Sequence, residues 1–220
     1  MELDGTSIII PCYNRLDLTS KCVASLEKLN CPDVEIIIID NGSTDGTGSF
    51  LEKLGGNFIC HLNKENTGMV RAFNRGASAG RYETLVFMHN DIIIHDPEWT
   101  DKIRRFLASN KHAGILGLYG AKHIRKNGSF MGRGIVYSKH EDNIMRNDCS
   151  EVAVVDGVFM AMLKKVYNEI GGLDENYKMH YYDKDISLKA YIKGYRNYTE
   201  HPFYSLGCRK RGIKCAISPA

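Results

Sequence analysis

Four polar residues follow apolar segments in the first half of the chain, at the points where predicted strands end. They are Asn14, Asp40, Asn66 and Asp91. Amide and carboxylate groups of this kind can bind ribose hydroxyls, base N–H groups or hard cations. Because the carboxyl ends of the strands form the ligand crevice of an open α/β sheet, this placement predicts a ligand-binding enzyme.

His89-Asn90-Asp91 follows the apolar segment 83–88, and Asp91 is the best single candidate for a metal ligand. A carboxylate that emerges into the crevice could hold Mg²⁺ or Mn²⁺ against a diphosphate. Asn and Asp are also favoured in turns at strand ends, where they need no ligand. The tripeptide alone supports both interpretations about equally.

Two further acidic positions allow a chemical and a structural interpretation. Asp40 could accept the imide N–H of uracil or thymine or bind ribose, although an aspartate in Asp-Asn-Gly is more often a cap or turn residue. Asp183 and Asp185 stand beside Tyr181 and Tyr182, which could raise the pKa of one carboxyl for general-base chemistry. Acidic residues also favour the positive end of a helix dipole, so capping is expected for at least one of the two.

The elements that must position these residues alternate along the first half of the chain. Short apolar runs predict strands, and apolar residues at helical spacing predict helices. The predicted strands cover 7–11, 34–40, 57–62 and 83–88. The predicted helices cover 16–29, 47–54, 67–78 and 98–109.

The second half is less regular. Residues 110–150 are predicted as loops with weak strands, and 152–163 as an apolar strand interrupted at Asp156-Gly157. Residues 170–174 form a predicted turn. A helix is expected over 184–193, with Gly194 as its C-cap.

Strands that alternate with helices predict right-handed βαβ crossovers and an α/β fold with a mainly parallel sheet. The chain contains neither a GxGxxG nor a GxxxxGK[ST] motif, which disfavours a dinucleotide-binding fold or a P-loop. A phosphate group must then be held in another way, and a divalent cation on a carboxylate is the simplest one.

The composition is that of an ordinary soluble domain. Of the 220 residues 43% are hydrophobic, and the net charge of +3 argues against disorder and against a nucleic-acid-binding protein. Seven cysteines without a CxxC pair fit neither a disulfide framework nor a zinc ribbon. With no signal peptide and no run of about 20 apolar residues, the sequence predicts a cytoplasmic protein without a transmembrane segment.

A basic cluster lies near the end of the chain, in the tail 206–220. It contains Arg209, Lys210, Arg211 and Lys214. A solvated tail is the default interpretation. There are two alternatives: the tail contacts a substrate diphosphate, or it makes peripheral contact with an anionic membrane surface.

The ordered set of motifs resembles the family 2 glycosyltransferases of the GT-A fold. Segment 7–15 is similar to the family's opening strand and Pro-x-Tyr-Asn loop, and segment 34–45 to its second strand and Asp-Asn-Gly-Ser-x-Asp turn. Further on, the chain matches the family's Asn-x-Gly…Asn-x-Gly segment, its Asp-x-Asp, its acceptor-side strand and turn, and its Glu-Asp-x-Asp. These matches lie at 66–76, 85–91, 156–157, 171–175 and 182–185. The resemblance covers about residues 6–205.

The resemblance implies one GT-A catalytic domain over 1–220, with a Rossmann-like, mixed and mainly parallel sheet flanked by helices. Its nucleotide-sugar-binding half would span about 1–110 and its acceptor-side half about 111–205. The basic tail would follow at 206–220.

The resemblance also implies an inverting transfer of a sugar from a nucleotide diphosphate-sugar, a UDP-sugar by default, to a hydroxyl of a glycan or glycoconjugate. Asp91 would bind Mn²⁺ or Mg²⁺, and Asp183 would be the general base. The nucleotide-sugar would contact Pro11, Tyr13, Asn14, Asp40, Asn66, Arg71, His89, Asn90 and Asp156.

Three positions depart from the family pattern. His89 replaces the first Asp of Asp-x-Asp, and Tyr182 replaces the Glu of Glu-Asp. Many members carry a late metal-binding His. In this chain Ser205 or a neighbour occupies its place, and His201 lies slightly early.

Two other functions stay open. A nucleotidyltransferase has a similar sheet and a metal-binding carboxylate, but it usually needs a glycine-rich basic loop, which Pro-Cys-Tyr-Asn-Arg is not. A sugar-nucleotide- or glycan-binding module that has lost activity is compatible with His89 and Tyr182, and it predicts binding without turnover.

Overall fold

The computed structural model describes residues 4–29, 31, 33–127, 129–135 and 149–199. The strands in these residues are β1 (Thr6–Cys12), β2 (Val34–Asp40), β3 (Phe58–Leu62), β4 (Thr84–Met88), β5 (Ala113–Gly117), β6 (Tyr119–Ile124), β7 (Phe130–Ile135), β8 (Ser150–Val152), β9 (Val154–Val155), β10 (Phe159–Leu163) and β11 (Arg196–Thr199). The helices are α1 (Leu16–Leu29), α2 (Thr47–Leu51), α3 (Met69–Ala79), α4 (Trp99–Ser109), α5 (Lys164–Glu169) and α6 (Tyr182–Ile192). The basic tail 206–220, His201 and Ser205 lie outside the described residues.

The main sheet has the strand order β3-β2-β1-β4-β10-β5-β11-β8. The pairs among β1, β2, β3 and β4 are parallel, as the alternation of strands and helices predicts. β10 lies antiparallel between β4 and β5, and β11 is parallel to β5. The predicted mixed, mainly parallel sheet is therefore confirmed.

The centre of the sheet is buried on both faces, which explains why its strands are apolar without alternation. Every residue of β1, β2 and β4 is buried. Alternate side chains of β2 point to opposite faces. Ile37 and Ile39 pack with Ala72 of α3, while Ile36 and Ile38 belong to the main core.

A second, three-stranded sheet with the order β7-β6-β9 stands beside the main one. β6 follows β5 after a single residue, and β9 and β10 are separated only by residues 156–158. This short connection contains Asp156 and Gly157, so the two sheets meet where the sequence predicts an interrupted strand.

The main differences from the predicted elements fall in the second half. β5 belongs to the packed fold, whereas the sequence predicts loops with weak strands over residues 110–150. α5 and β11 also belong to the packed fold, and the sequence makes no prediction for either. β5 is Ala-Gly-Ile-Leu-Gly, and all five residues are buried. Two of these residues are glycines, which have low strand propensity, so the sequence does not predict a strand here.

No helix among the described residues is both long and apolar enough to span a lipid bilayer.

Candidate active site

A large cavity of about 810 Å³ opens at the carboxyl ends of β1, β2 and β4. This volume lies within the range of small-molecule and cofactor sites. Its walls come from the segments after these strands, from the start of α3 and from the loop between α5 and α6. The lining residues include Pro11, Cys12, Tyr13, Asn41, Asn66, Arg71, His89, Asn90, Glu175, Lys178 and His180.

The loops after β1 and β2 are fastened to each other. The Asn14 N–H donates to Ser43 Oγ at 2.7 Å, and the Thr44 N–H donates to Asn14 Oδ1 at 2.8 Å. Asn14 has a positive φ of 56°, a conformation that Asn tolerates better than most residues. Its side chain therefore holds the loop and is not among the cavity-lining groups.

Asp40 stabilises the loop after β2. Its carboxylate accepts the Ser43 N–H at 3.2 Å and the Ser43 hydroxyl, and the residue is only 3% exposed. The next residue, Asn41, does line the cavity. Its side-chain amide joins Asn63, Thr67 and the Gly68 carbonyl, which ties the start of α3 to the end of β2.

Gly68 gives α3 its direction. It has φ 92° and ψ 154° immediately before the helix, a combination open essentially to glycine alone. Its N–H donates to Asn66 Oδ1 at 2.9 Å. The first turn of α3 then places Arg71 on the cavity wall, where its guanidinium lies 3.2 Å from Glu175.

Asp91 stands just after β4, beside the cavity-lining residues His89 and Asn90, but does not itself line the cavity. Its Oδ1 atom is buried and has no hydrogen-bond partner among the described residues. An unpaired buried carboxylate oxygen costs free energy, so a cation is a fitting partner. No group of three or more His, Cys, Asp or Glu side chains in the described part of the chain could hold a metal. Substrate phosphates commonly complete the coordination of Mg²⁺ beside one or two protein carboxylates.

A small cavity of about 490 Å³ adjoins the large one and is lined by Asp156, Gly157, Asp183 and His89, among others. His89, Met179 and His180 line both cavities, which are therefore neighbours. The Gly157 N–H donates to Asp183 Oδ2 at 3.3 Å, which orients this carboxylate at the start of α6. The Val158 N–H donates to Asp156 Oδ1 at 3.0 Å.

Burial controls the charges at this junction. Burial lowers the pKa of His89 below the ordinary value. The negative charges of Asp91, Asp156 and Asp183 raise this pKa, but their effect is smaller. Burial also raises the pKa of Asp156, and the negative charge of Asp183 adds to this effect. The His89 ring is therefore neutral at neutral pH.

His89 and Tyr182, two of the three departures from the family pattern, lie in contact. His89 Nε2 is 3.1 Å from the Tyr182 hydroxyl, and Tyr182 is 3% exposed. The sequence does not indicate this pair, because the two residues are 93 positions apart.

The structure brings most of the predicted site residues to the two cavities. Pro11, Tyr13, Asn66, Arg71, His89 and Asn90 line the large cavity, and Asp156 and Asp183 line the small one. Asn14, Asp40 and Asp91 lie beside them. Glu175, the last residue of the matched segment 171–175, also lines the large cavity. Lys178 and His180 line it too but carry no sequence signal, because they are exposed polar residues in an irregular loop.

A large cavity at the carboxyl ends of parallel strands, next to a smaller cavity that contains an oriented carboxylate, is the arrangement expected of a ligand-binding enzyme with an open α/β sheet. The model of one family, Glycosyl transferase family 2, matches residues 7–171. The chain therefore belongs to glycosyltransferase family 2 and is a glycosyltransferase domain.

Curated relatives include poly-beta-1,6-N-acetyl-D-glucosamine synthase from Staphylococcus aureus strain MSSA476, which is 30% identical over 202 residues. The match covers 89% of this chain and 48% of the relative. The Staphylococcus epidermidis protein of the same name is 26% identical, again over 48% of its length. The chain thus spans about half the length of the curated relatives it matches.

Three solved structures share the fold of this chain. The mannosyltransferase PcManGT from Pyrobaculum calidifontis, in complex with GDP-Man and Mn²⁺, has a TM-score of 0.65 at 16% identity and covers 91% of this chain and 57% of that one. GalNAc-T7 with UDP, GalNAc and Mn²⁺ has a TM-score of 0.70 at 14% identity, with 91% and 43% covered. Staphylococcus aureus TarS has a TM-score of 0.65 at 20% identity, and the match covers 89% of this chain and 57% of that one. The chain has the GT-A fold.

Proposed function

We propose that the chain transfers a sugar from a nucleotide diphosphate-sugar to a hydroxyl of a glycan or glycoconjugate, with inversion at the anomeric carbon. The observation that carries this proposal is the junction of the two cavities, which share His89, Met179 and His180 as lining residues. A donor in the large cavity would place its sugar at this junction, and an acceptor would approach through the small cavity. In this proposal about residues 1–110 supply most of the donor site, and about 111–205 supply Asp156 and Asp183.

The donor's base and ribose would lie against Pro11, Tyr13 and the loops after β1 and β2. Tyr13 is 49% exposed and offers its ring to a base. Asp40 is proposed to contact the base or ribose, as the resemblance implies, after a change in its bond to Ser43. Arg71 and Lys178, which both line the large cavity, would face the diphosphate. Arg71 would then leave its ion pair with Glu175 and pair with the diphosphate instead.

Asp91 would hold Mn²⁺ or Mg²⁺, because its buried Oδ1 lacks a partner among the described residues. The Asn90 Nδ2 group donates to Thr19 Oγ1 at 2.8 Å, which fixes the orientation of the amide next to Asp91. The chemistry that a bound cation would supply is neutralisation of the charge on the leaving diphosphate.

Asp183 is proposed as the general base. The acceptor hydroxyl oxygen attacks the anomeric carbon while the Asp183 carboxylate takes its proton, and the bond from the anomeric carbon to the diphosphate oxygen breaks. The Gly157 N–H on Oδ2 holds the carboxylate in place. Positioning of the two substrates supplies much of the remaining rate enhancement.

A UDP-sugar is the first donor to test, since UDP is the family's default nucleotide and GalNAc-T7 is described with it. The name of the staphylococcal relatives points to N-acetylglucosamine as the first sugar. The proposed acceptors are oligosaccharides of the same sugar.

The test measures thermal stabilisation of the chain by UDP, dTDP, GDP and CDP, each with Mn²⁺, with Mg²⁺ and with EDTA. A ligand at 100 times its Kd adds about 2.7 kcal/mol to the free energy of unfolding. We expect UDP to stabilise the wild type only with metal, and Asp91→Asn to abolish this effect. Asp101→Asn is the matched control, because Asp101 lies on α4 and pairs with Arg104, away from both cavities.

Turnover is then followed as UDP release from UDP-N-acetylglucosamine in the presence of an N-acetylglucosamine oligosaccharide. Metal-dependent binding without turnover would favour the inactive binding module. Release of pyrophosphate from UTP and a sugar 1-phosphate would identify a nucleotidyltransferase. Stabilisation that is equal in EDTA would refute the metal role of Asp91.

A further inference from the structure

A hydrogen-bonded path links the end of β4 to the start of α6. His89 Nε2 lies 3.1 Å from the Tyr182 hydroxyl oxygen, and this oxygen lies 3.1 Å from the Gly157 carbonyl oxygen. Both His89 and Tyr182 depart from the family pattern, and they meet only in the folded chain.

The chemistry of the three groups sets the direction of both protons. The Gly157 carbonyl can only accept, so the single proton of Tyr182 must point to it. With the opposite arrangement, two buried oxygens would face each other at 3.1 Å without a proton between them. The Tyr182 oxygen therefore accepts, and His89 Nε2 carries the hydrogen.

This assignment leaves Nδ1 of the neutral ring as an acceptor. A neutral imidazole has one N–H and one lone-pair nitrogen, and the partner of one nitrogen decides the tautomer. Burial raises the pKa of Tyr182, which keeps its O–H, and the assignment applies to the neutral imidazole that predominates above about pH 6.5.

Gly157 joins the path to the proposed base. Its carbonyl accepts from Tyr182 and its N–H donates to Asp183. A Cβ atom at position 157 would lie 2.2 Å from the Tyr182 hydroxyl oxygen and 2.5 Å from Cζ. Tyr182 can therefore stand here only because residue 157 has no side chain.

Packing behind the path restricts both rings. Phe73 of α3, which is fully buried, lies with its ring centroid 6.4 Å from that of His89 and 6.0 Å from that of Tyr182. His89 also lines both cavities. The imidazole thus has a protein partner on Nε2 and an aromatic neighbour, and His89 borders both cavities.

We propose that Tyr182 is a positioning residue that locks His89 as the Nε2–H tautomer, so that Nδ1 accepts a hydrogen bond from a hydroxyl of the transferred sugar. The sugar part of this inference rests on the proposed function. The tautomer part is independent of it.

The first experiment is NMR of the chain labelled with ¹⁵N-histidine, without substrates and in EDTA. The two-bond N–H couplings distinguish the tautomers, and the His89→Gln spectrum identifies the His89 signals. We expect the Nε2–H tautomer alone in the wild type and a mixture of tautomers in Tyr182→Phe. The Nδ1–H tautomer in the wild type would overturn the proposal, even if Tyr182→Phe failed to fold.

Kinetics form the second experiment. Tyr182→Phe is expected to raise the KM for the sugar nucleotide about threefold to tenfold, the effect of one hydrogen bond. Tyr167→Phe is the matched control: Tyr167 is also buried, and its hydroxyl donates to Asn74, outside both cavities. This control should lose stability but keep the wild-type KM and the His89 tautomer.

A pairing test completes the design. If the two residues act through one contact, the effects of Tyr182→Phe and His89→Gln on KM are not additive. Additive effects, or an unchanged tautomer in Tyr182→Phe, would refute the lock. Absence of turnover in the wild type would instead refute the proposed function and leave the NMR result standing.

Discussion

At the scale of single residues, the two carboxylates in the first turn of α6 differ in their partners. Asp183 accepts the N–H of Gly157 and lines the small cavity. Asp185 lies 2.7 Å from Lys189 Nζ one turn further along the helix. This contrast separates the proposed base from a residue that favours the helix start.

Asp183→Asn is expected to lower kcat by about 100-fold or more, because the amide cannot take the proton of the acceptor hydroxyl. The KM values should change little, since the amide keeps the shape of the side chain. Initial rates with varied donor and acceptor provide the measurement. Asp185→Asn is the control and should keep kcat. An equal loss in both variants would show that the effect is on α6 rather than on proton transfer.

Sequence reasoning anticipated the site better where one short segment carries the function. Tyr13 and Arg71 could be placed by their local motifs, and both line the large cavity. Contacts between distant segments could not be anticipated. The hydrogen bond between His89 and Tyr182 depends on how the start of α6 lies against the segment after β4. The cavity wall at Lys178 and His180 depends on the path of an irregular loop.

At the scale of elements, α3 is held close to β1 by the absence of a side chain at residue 76. A Cβ atom on Gly76 would lie 2.3 Å from Ile9 Cγ2, and Ile9 is fully buried. The first turn of α3 also supplies the cavity wall at Val70 and Arg71. A shift of this helix would therefore reach the cavity.

Gly76→Ala is expected to lower the free energy of unfolding by about 1–3 kcal/mol through overpacking, partly offset by about 1 kcal/mol from the better helix propensity of Ala. Chemical denaturation measures the change. Gly55→Ala is the control, because a Cβ atom there meets nothing within 4 Å, and a change within about 0.5 kcal/mol is expected. Equal effects of the two substitutions would contradict the close contact between α3 and β1.

The predicted elements of the first half agree with the structure to within a few residues, because their strands are short apolar runs and their helices have apolar residues at helical spacing. The second half is different because its elements depend on tertiary partners. β11 is a four-residue strand, Arg-Asn-Tyr-Thr, with one apolar side chain. Its place in the sheet is set by β5 on one side and β8 on the other.

At the scale of the whole molecule, burial of neutral His89 links stability to pH. Its folded-state pKa is lowered from an ordinary value of 6.5, so the unfolded chain binds a proton that the native chain lacks just below pH 6.5. The contribution of His89 to the free energy of unfolding is complete above pH 6.5. It is lost as the pH falls toward the folded-state pKa, and the free energy then changes by at most about 1.4 kcal/mol per pH unit.

Urea unfolding in EDTA between pH 5.5 and 7.5 tests this dependence. The wild type should lose stability as the pH falls, and His89→Gln should flatten the curve. Some slope should remain, because burial and Arg75 also lower the pKa of His61. An unchanged slope in His89→Gln would show that His89 is not buried in its neutral form.

The place of β10 between β4 and β5 also has a consequence for synthesis of the chain. β4 leaves the ribosome well before β10, so one edge of β4 must wait for its partner while α4 and the second sheet are still being made. All five residues of β4 are buried in the finished fold, and an unpaired apolar edge is where nascent chains associate wrongly. We therefore expect the strand that leads into Asp91 to need protection of one edge, for example by a chaperone, during translation.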